Sequence, residues 1–335
     1  MKTKAGPQAL IVFDMDGVIV DVSESYRNTV RQTARLFVKG AVSWERLPDP
    51  LFSLADLARV KQSGGLNNDW DLTFLIINLL FTLVKRSSEY PDSDPWTTFN
   101  KAIKSCDVAN LAQFLKDENN PISRLLEKNG RITHDVIAGL YTGDVGSGNI
   151  IKQIFQEIYL GKELFESIYG IPSKVFYEKG YINRETLLID KSIFESLSKN
   201  NILAIATGRP RIEADYPLDF FDLRKFFSWI LTLDDCLEEE QKLFEQEQKK
   251  VNLSKPNPYM LDAIEIAAKN SASKYYYIGD MPDDMMAASR SRGGFIGIGI
   301  LKSSSEKDSL RRDLEAAGAD YIIEDFDELV KIVES

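Results

Sequence analysis

Six short runs along the chain are almost continuously apolar: Ala9–Phe13, Ile202–Ala206, Trp229–Leu233, Tyr275–Ile278, Phe295–Ile300 and Tyr321–Ile323. They do not alternate between apolar and polar, which is the pattern of parallel strands covered on both faces. Helical patterns separate the last five, among them Asp190–Lys199, Pro258–Lys269 and Asp284–Arg290. Strands alternating with helices predict an α/β layer fold around a parallel sheet. The first strand stands apart from the rest. The stretch after it reads mostly as helix: Asp21-x-x-Glu24 opens a run with apolar Tyr26, Val30, Ala34 and Phe37, Asn67-Asn68-Asp69 precedes a helix through Val84, and Ile151–Tyr169 is helical again. Ser87–Pro95, rich in Ser, Asp and Pro, reads as a loop, and Glu238–Lys250 as an exposed acidic helix. The pattern therefore predicts a core from residues 1–20 and 190–335, interrupted by a helical insertion over 21–189.

Length and composition sharpen this. With 335 residues the chain is long enough for about two domains, and its 44% hydrophobic content supports a sizeable core. A formal net charge of −10 argues against nucleic acid or an anionic membrane surface as a general partner. The single histidine, His134, excludes sites needing several imidazoles, such as multi-histidine zinc, iron or manganese centres. It lies in a polar stretch and reads as structural. Two cysteines, Cys106 and Cys236, make no disulfide framework. The longest apolar run, Leu72–Val84, is shorter than the roughly 20 residues that span a bilayer, and the N-terminus carries no signal-peptide pattern. A cytoplasmic protein is expected, or one in an organelle lumen after removal of a transit peptide. Oligomeric state is not legible.

Four polar signals sit beside these elements. Asp14-Met15-Asp16-Gly17-Val18 follows the first strand, Thr207-Gly208-Arg209 follows the second, Lys255-Pro256-Asn257-Pro258 precedes a helix, and Gly279-Asp280-Met281-Pro282-Asp283-Asp284 follows Tyr275–Ile278. In open α/β sheets ligands bind beyond the carboxyl ends of the strands, so these signals are expected to converge. Crowded aspartates suit Mg²⁺, which takes carboxylates, water and phosphate oxygens. A hydroxyl, backbone N–H groups near Gly17 and Gly208, and an ammonium suit an anion. Phosphoryl transfer needs positioning, metal and positive charge, and an aspartate is able to act as nucleophile.

In this order, DxDGV, Thr-Gly, KPxP and GDxxxD resemble the motifs of the haloacid dehalogenase superfamily of Mg²⁺-dependent phosphohydrolases. The insertion is similar to the helical C1-type cap of its first subfamily. The resemblance covers the core, about half the chain, and implies a Rossmann-like parallel-sheet core with an enlarged helical cap. The stretch between Asp16 and Thr207 exceeds half the chain, long for such a cap, so the extra residues are expected around Ser87–Asn149. The resemblance further implies Asp14 as nucleophile, Asp16 as acid and then base, Thr207 on a phosphoryl oxygen and Lys255 neutralising charge. It implies a Mg²⁺ held by Asp14, the Asp16 carbonyl, Asp280 and Asp284, with Asp283 unassigned. An aspartate at position 16 favours phosphate chemistry over carbon–halogen cleavage. The family's phosphonate-cleaving members use a cap lysine, but neither Lys39 nor Lys61 stands out for that role. Composition excludes dehydratases that bind manganese through many histidines.

The expected activity is an Mg²⁺-dependent phosphatase that cleaves a small phosphorylated metabolite through an aspartyl-phosphate. The alternatives are a phosphomutase with the same motifs, or a non-catalytic metabolite-binding module that kept the metal site. Expected substrate contacts are Gly17, Gly208 and Arg209 in the core, with Lys61, Asn67 and Asn68 in a Gly-containing loop of the insertion that also carries Trp70. That loop reads equally as a plain turn whose Asn and Asp residues cap the next helix.

Overall fold

The computed structural model describes residues 9–62, 66, 68–86, 94–269, 271–304 and 306–334. The chain divides into two compact units, Met1–Asp21 with Thr186–Ser335, and Val22–Glu185. The first contains the strands β1 (Ala9–Phe13), β2 (Val20–Asp21), β3 (Thr186–Leu187), β4 (Ile202–Ala206), β5 (Phe227–Leu231), β6 (Lys274–Gly279), β7 (Ile296–Ile300) and β8 (Tyr321–Ile323). Six of them form one parallel sheet in the order β5-β4-β1-β6-β7-β8. β1 is wholly buried, as its unbroken apolar run requires.

Both faces of the sheet are covered. On one, Leu10, Val12, Ala204, Ala206 and Tyr277 pack with Met260, Leu261 and Ile264 of the Tyr259–Ala268 helix and with Ala287 and Ala288 of the Pro282–Arg290 helix. On the other, Phe13, Phe194 and Phe227 meet edge to face, with centroids 5.3–6.2 Å apart. Strand order extends leftwards from β1 through β4 and β5, then rightwards through β6. The chain therefore reverses direction at β1, and the crevice at such a point lies beyond the carboxyl end of that strand.

Several boundaries differ from the sequence reading. The fifth strand is Phe227–Leu231 rather than Trp229–Leu233, because Thr232 caps a helix that begins at Leu233: its backbone N–H donates to Asp235 Oδ2 at 2.7 Å. That helix runs to Glu247, so the exposed acidic helix starts before Glu238 and ends before Lys250. The helix expected from Asp284 begins at Pro282, a residue suited to a first helical position. β2 and β3 were not legible at all, since two-residue strands carry no periodicity. They pair antiparallel, Val20 with Leu187 and Asp21 with Thr186.

The second unit is helical. Its centre is formed by Tyr26–Phe37, Asp69–Phe81 and Ile150–Tyr169, with Tyr26 stacked on Tyr159 at 4.1 Å. Residues 94–149 add four shorter helices, Pro95–Lys104, Ala109–Asp117, Pro121–Asn129 and Asp135–Gly139. Most of the Ser87–Pro95 loop lies outside the described residues. Buried carboxylates hold this unit at backbone level. Asp56 accepts from the Ile122 and Ser123 N–H groups at the start of one helix. Glu157 accepts from those of Lys174, Val175 and Phe176. Among the described residues no helix is long and apolar enough to cross a membrane.

Candidate active site

β1 ends at Phe13, and Asp14 follows it directly; its N–H donates to the Ile278 carbonyl of β6 at 2.8 Å, so the ladder itself fixes the residue. The next residues turn sharply. Gly17 donates to the Val20 carbonyl at 2.8 Å and sits at φ +73, in the left-handed region that favours glycine. A Cβ there would also lie 1.9 Å from Asp280 Oδ2. Gly17→Ala is therefore expected to displace Asp280 and to add about 1–2 kcal/mol of backbone strain. Thermal melts and Mg²⁺ titration of the variant would check both; wild-type metal affinity would contradict the displacement.

β6 delivers Asp280 and, through the turn beyond it, Asp284. Asp14, Asp280 and Asp284 each place a carboxylate oxygen within 4.8 Å of the others, and all three are buried. Lys255 is the counter-charge. Its Nζ lies 2.9 Å from Asp14 Oδ1 and 2.7 Å from Asp284 Oδ1, and it donates to the Tyr277 hydroxyl at 3.2 Å. Burial pushes the Asp14 carboxyl up to about 8 against the pull of Lys255, with Asp284, Asp16 and Asp280 adding to the rise. The carboxylates hold Lys255 in its charged form: its pKa stays well above the ordinary lysine value in spite of burial. One ammonium among three buried carboxylates leaves excess negative charge. An oxygen-only donor set of this kind fits a hard divalent cation.

Thr207 follows β4, and its N–H continues that ladder to the Leu231 carbonyl at 3.0 Å. It is buried, and its Oγ1 accepts from the Arg209 N–H at 3.2 Å. Gly208 sits in the same turn, where a Cβ would meet nothing within 4 Å. Arg209, expected as a substrate contact, instead turns inward to partners within the core unit. Its side chain is 1% exposed and its Nε donates to Asp16 Oδ1 at 2.6 Å, while Nη1 donates to the Glu213 carbonyl. Arg211, the other arginine nearby, is bound to Asp235 and to the Ile230 carbonyl. The Asp283 carboxyl is raised mainly by burial and then by Asp284.

The insertion candidates have local partners. Lys61 Nζ lies 3.0 Å from Asp69 Oδ1, and Asn68 caps the Asp69–Phe81 helix by accepting from the Asp71 N–H. Asn67 lies outside the described residues. His134 precedes the Asp135–Gly139 helix and burial lowers its pKa. The residue that sequence reasoning missed is Tyr277. It is wholly buried, and its hydroxyl donates to Asp284 Oδ1 at 2.9 Å. The signal was available: a tyrosine near the end of a buried strand must satisfy its hydroxyl, and the nearest polar groups are those of the site.

The backbone is shared with a known structure. An X-ray structure from the Northeast Structural Genomics Consortium superposes with a TM-score of 0.64 at 23% identity, covering 98% of each chain. More distant matches are a phosphatase from Thermococcus thioreducens (TM-score 0.48, 20% identity, 91% of this chain and 99% of that one) and a HAD-superfamily hydrolase of subfamily IA from Geobacter sulfurreducens (0.40, 12%, 99% of each). The fold shared with the first of these, across nearly the whole of both chains, is a parallel-sheet core together with many helices. No family model matches the sequence. One curated relative, an imidazoleglycerol-phosphate dehydratase from Phytophthora nicotianae, is 37% identical over 73 residues, 22% of this chain. The aligned stretch spans only 14% of that relative's length.

Proposed function

We propose that the protein is an Mg²⁺-dependent phosphatase of small phosphorylated metabolites. The observation that carries this reading is the Lys255 ammonium set between Asp14 and Asp284 at the carboxyl end of the central strand. Asp14, Asp280 and Asp284, with the Asp16 carbonyl, would hold the cation, which supplies charge neutralisation and orientation for a phosphoryl group. Asp14 attacks phosphorus, and the P–O bond to the leaving alcohol breaks. Asp16 gives that oxygen its proton. A water then attacks the aspartyl-phosphate as Asp16 takes a proton from it, and inorganic phosphate leaves with Asp14 restored. Thr207 binds a phosphoryl oxygen and Lys255 spreads positive charge over the group.

Arg209 keeps Asp16 in place at the edge of the site, where the Asp16 side chain is 30% exposed and able to reach a leaving group. The insertion is read as an enlarged C1-type cap. The test is a screen of phosphorylated metabolites for inorganic phosphate, with Mg²⁺ and with a chelator. Release that depends on the metal supports the reading. An isomerised sugar phosphate without free phosphate would point to a mutase, and tight binding without turnover to a module that only binds.

A further inference from the structure

The insertion contains a cavity of about 260 Å³ whose walls come from that unit alone. They are one side of the Tyr26–Phe37 helix, the Asp49-Pro50-Leu51 turn, and the short segment that carries Tyr181 and Arg184. Three guanidinium groups line it, from Arg31, Arg35 and Arg184, against the two carboxylates of Glu24 and Asp49. An excess of cations in one hollow runs against the acidic balance of the chain.

The five charges are not equally committed. Arg31 is tied into the wall, with Nη1 donating to the Phe52 carbonyl at 3.0 Å and Nε to Asn28 Oδ1 at 3.1 Å. Glu24 accepts from Asn28 Nδ2 at 2.7 Å. Arg35 is different. Its guanidinium lies 4.3 Å from the Trp44 ring centre, and its Nε is buried without a hydrogen-bond partner. Asp49 Oδ2 forms an ion pair with that nitrogen at 3.7 Å, too long for a hydrogen bond, and the Asp49 side chain is 65% exposed. Arg184 lies 3.6 Å over the Tyr181 ring and forms no ion pair with a carboxylate among the described residues.

Two guanidinium groups are thus held by their flat faces while their N–H edges donate no hydrogen bond among the described residues. Stacking sets the plane of an arginine without using its donors, and the planar fork matches the oxygens of phosphate and carboxylate. The volume falls a little below the roughly 300 Å³ at which pockets for drug-sized ligands begin, so it suits a compact anion. We infer that this cavity binds a small organic oxyanion, phosphoryl or carboxylate in type, between Arg35 and Arg184. The ligand would join a helix that starts just after the chain enters the insertion to the segment that ends just before it leaves, which makes it an effector of this unit.

Trp44 provides a local reporter, since it stacks on Arg35. Fluorescence of the full-length protein would be followed during addition of sodium phosphate, sodium citrate or sodium chloride at matched ionic strength. A saturable change is expected with phosphate or with citrate, and which of the two responds identifies the type of headgroup. The change should vanish in Trp44→Phe and need at least tenfold more anion in Arg35→Gln and in Arg184→Gln. Arg184 is exposed, so its variant keeps the fold even where the Arg35 variant does not. A response no larger than that to chloride, or one that Arg184→Gln leaves in place, overturns the inference. Turnover is not read, so the result stands apart from the phosphatase proposal.

Discussion

Asparagine in place of Asp14 is expected to cut phosphate release by at least about a thousand-fold, and to raise the melting temperature of the metal-free protein at pH 8. The first effect follows from loss of the attacking oxygen. The second follows from the position of the carboxyl. Its pKa is moved from 3.8 to about 8, chiefly by burial. Between those values the folded protein keeps a proton on Asp14 that the unfolded chain has already released. The folded state binds more protons, so this group's contribution to stability falls as pH rises from about 4 to about 8. Asparagine is neutral throughout and escapes the loss. Melts in chelator should show the variant gaining on wild type from pH 5 to pH 8, with Mg²⁺ raising the wild type and leaving the variant almost unmoved. Undiminished turnover would remove Asp14 as nucleophile. A variant less stable than wild type at pH 8 would overturn the electrostatic account.

Methionine at Lys255 acts in the opposite direction on stability. The ammonium is the shared partner of Asp14 and Asp284, and both carboxylates are buried. Without it Asp14 stays protonated and the buried Asp284 carboxylate loses its ammonium, and breaking a buried ion pair by removing one partner costs about 3–5 kcal/mol. Phosphate release should also fall by about a hundred-fold or more, the usual loss when one donor to a reacting oxyanion is removed. Denaturant melts at pH 7 without metal, beside phosphate assays with it, would measure the two. A loss below about 1 kcal/mol would show that solvent screens this lysine more than its geometry implies.

The core was largely legible in the chain because a parallel strand buried on both faces must be a continuous apolar run. Ala9–Phe13, Ile202–Ala206 and Tyr321–Ile323 have the observed boundaries for that reason. The fifth strand slipped because Leu231, Leu233 and the intervening Thr232 read alike in either state, while the Thr232 cap decides the matter through Asp235. The aspartates and Lys255 were legible as motifs, since each stands at a strand end or beside a helix start. What the sequence could not carry was the pairing of charges. Nothing in Thr-Gly-Arg says that the arginine turns inward to Asp16, and nothing in Tyr-Tyr-Tyr says which ring reaches Asp284. Side-chain direction depends on neighbours that only the folded sheet assembles. The arginine cavity was invisible for the same reason, as its walls come from residues near 30, 50 and 180.

The two-residue ladder of β2 and β3 bears on how a chain comes to carry so large an insertion. Asp21 and Thr186 are paired partners, so the insertion begins and ends on adjacent strands. To the sheet, everything between them is a loop whose ends are already closed. The entropy of closing a loop grows only with the logarithm of its length, about 0.6 kcal/mol for each doubling. A short connection could therefore have grown into a folded unit in steps, each nearly neutral for the stability of the sheet. The core would tolerate replacement of residues 22–185 by a few glycines for the same reason, because the register of those two residue pairs, and not the mass they enclose, is what the core requires.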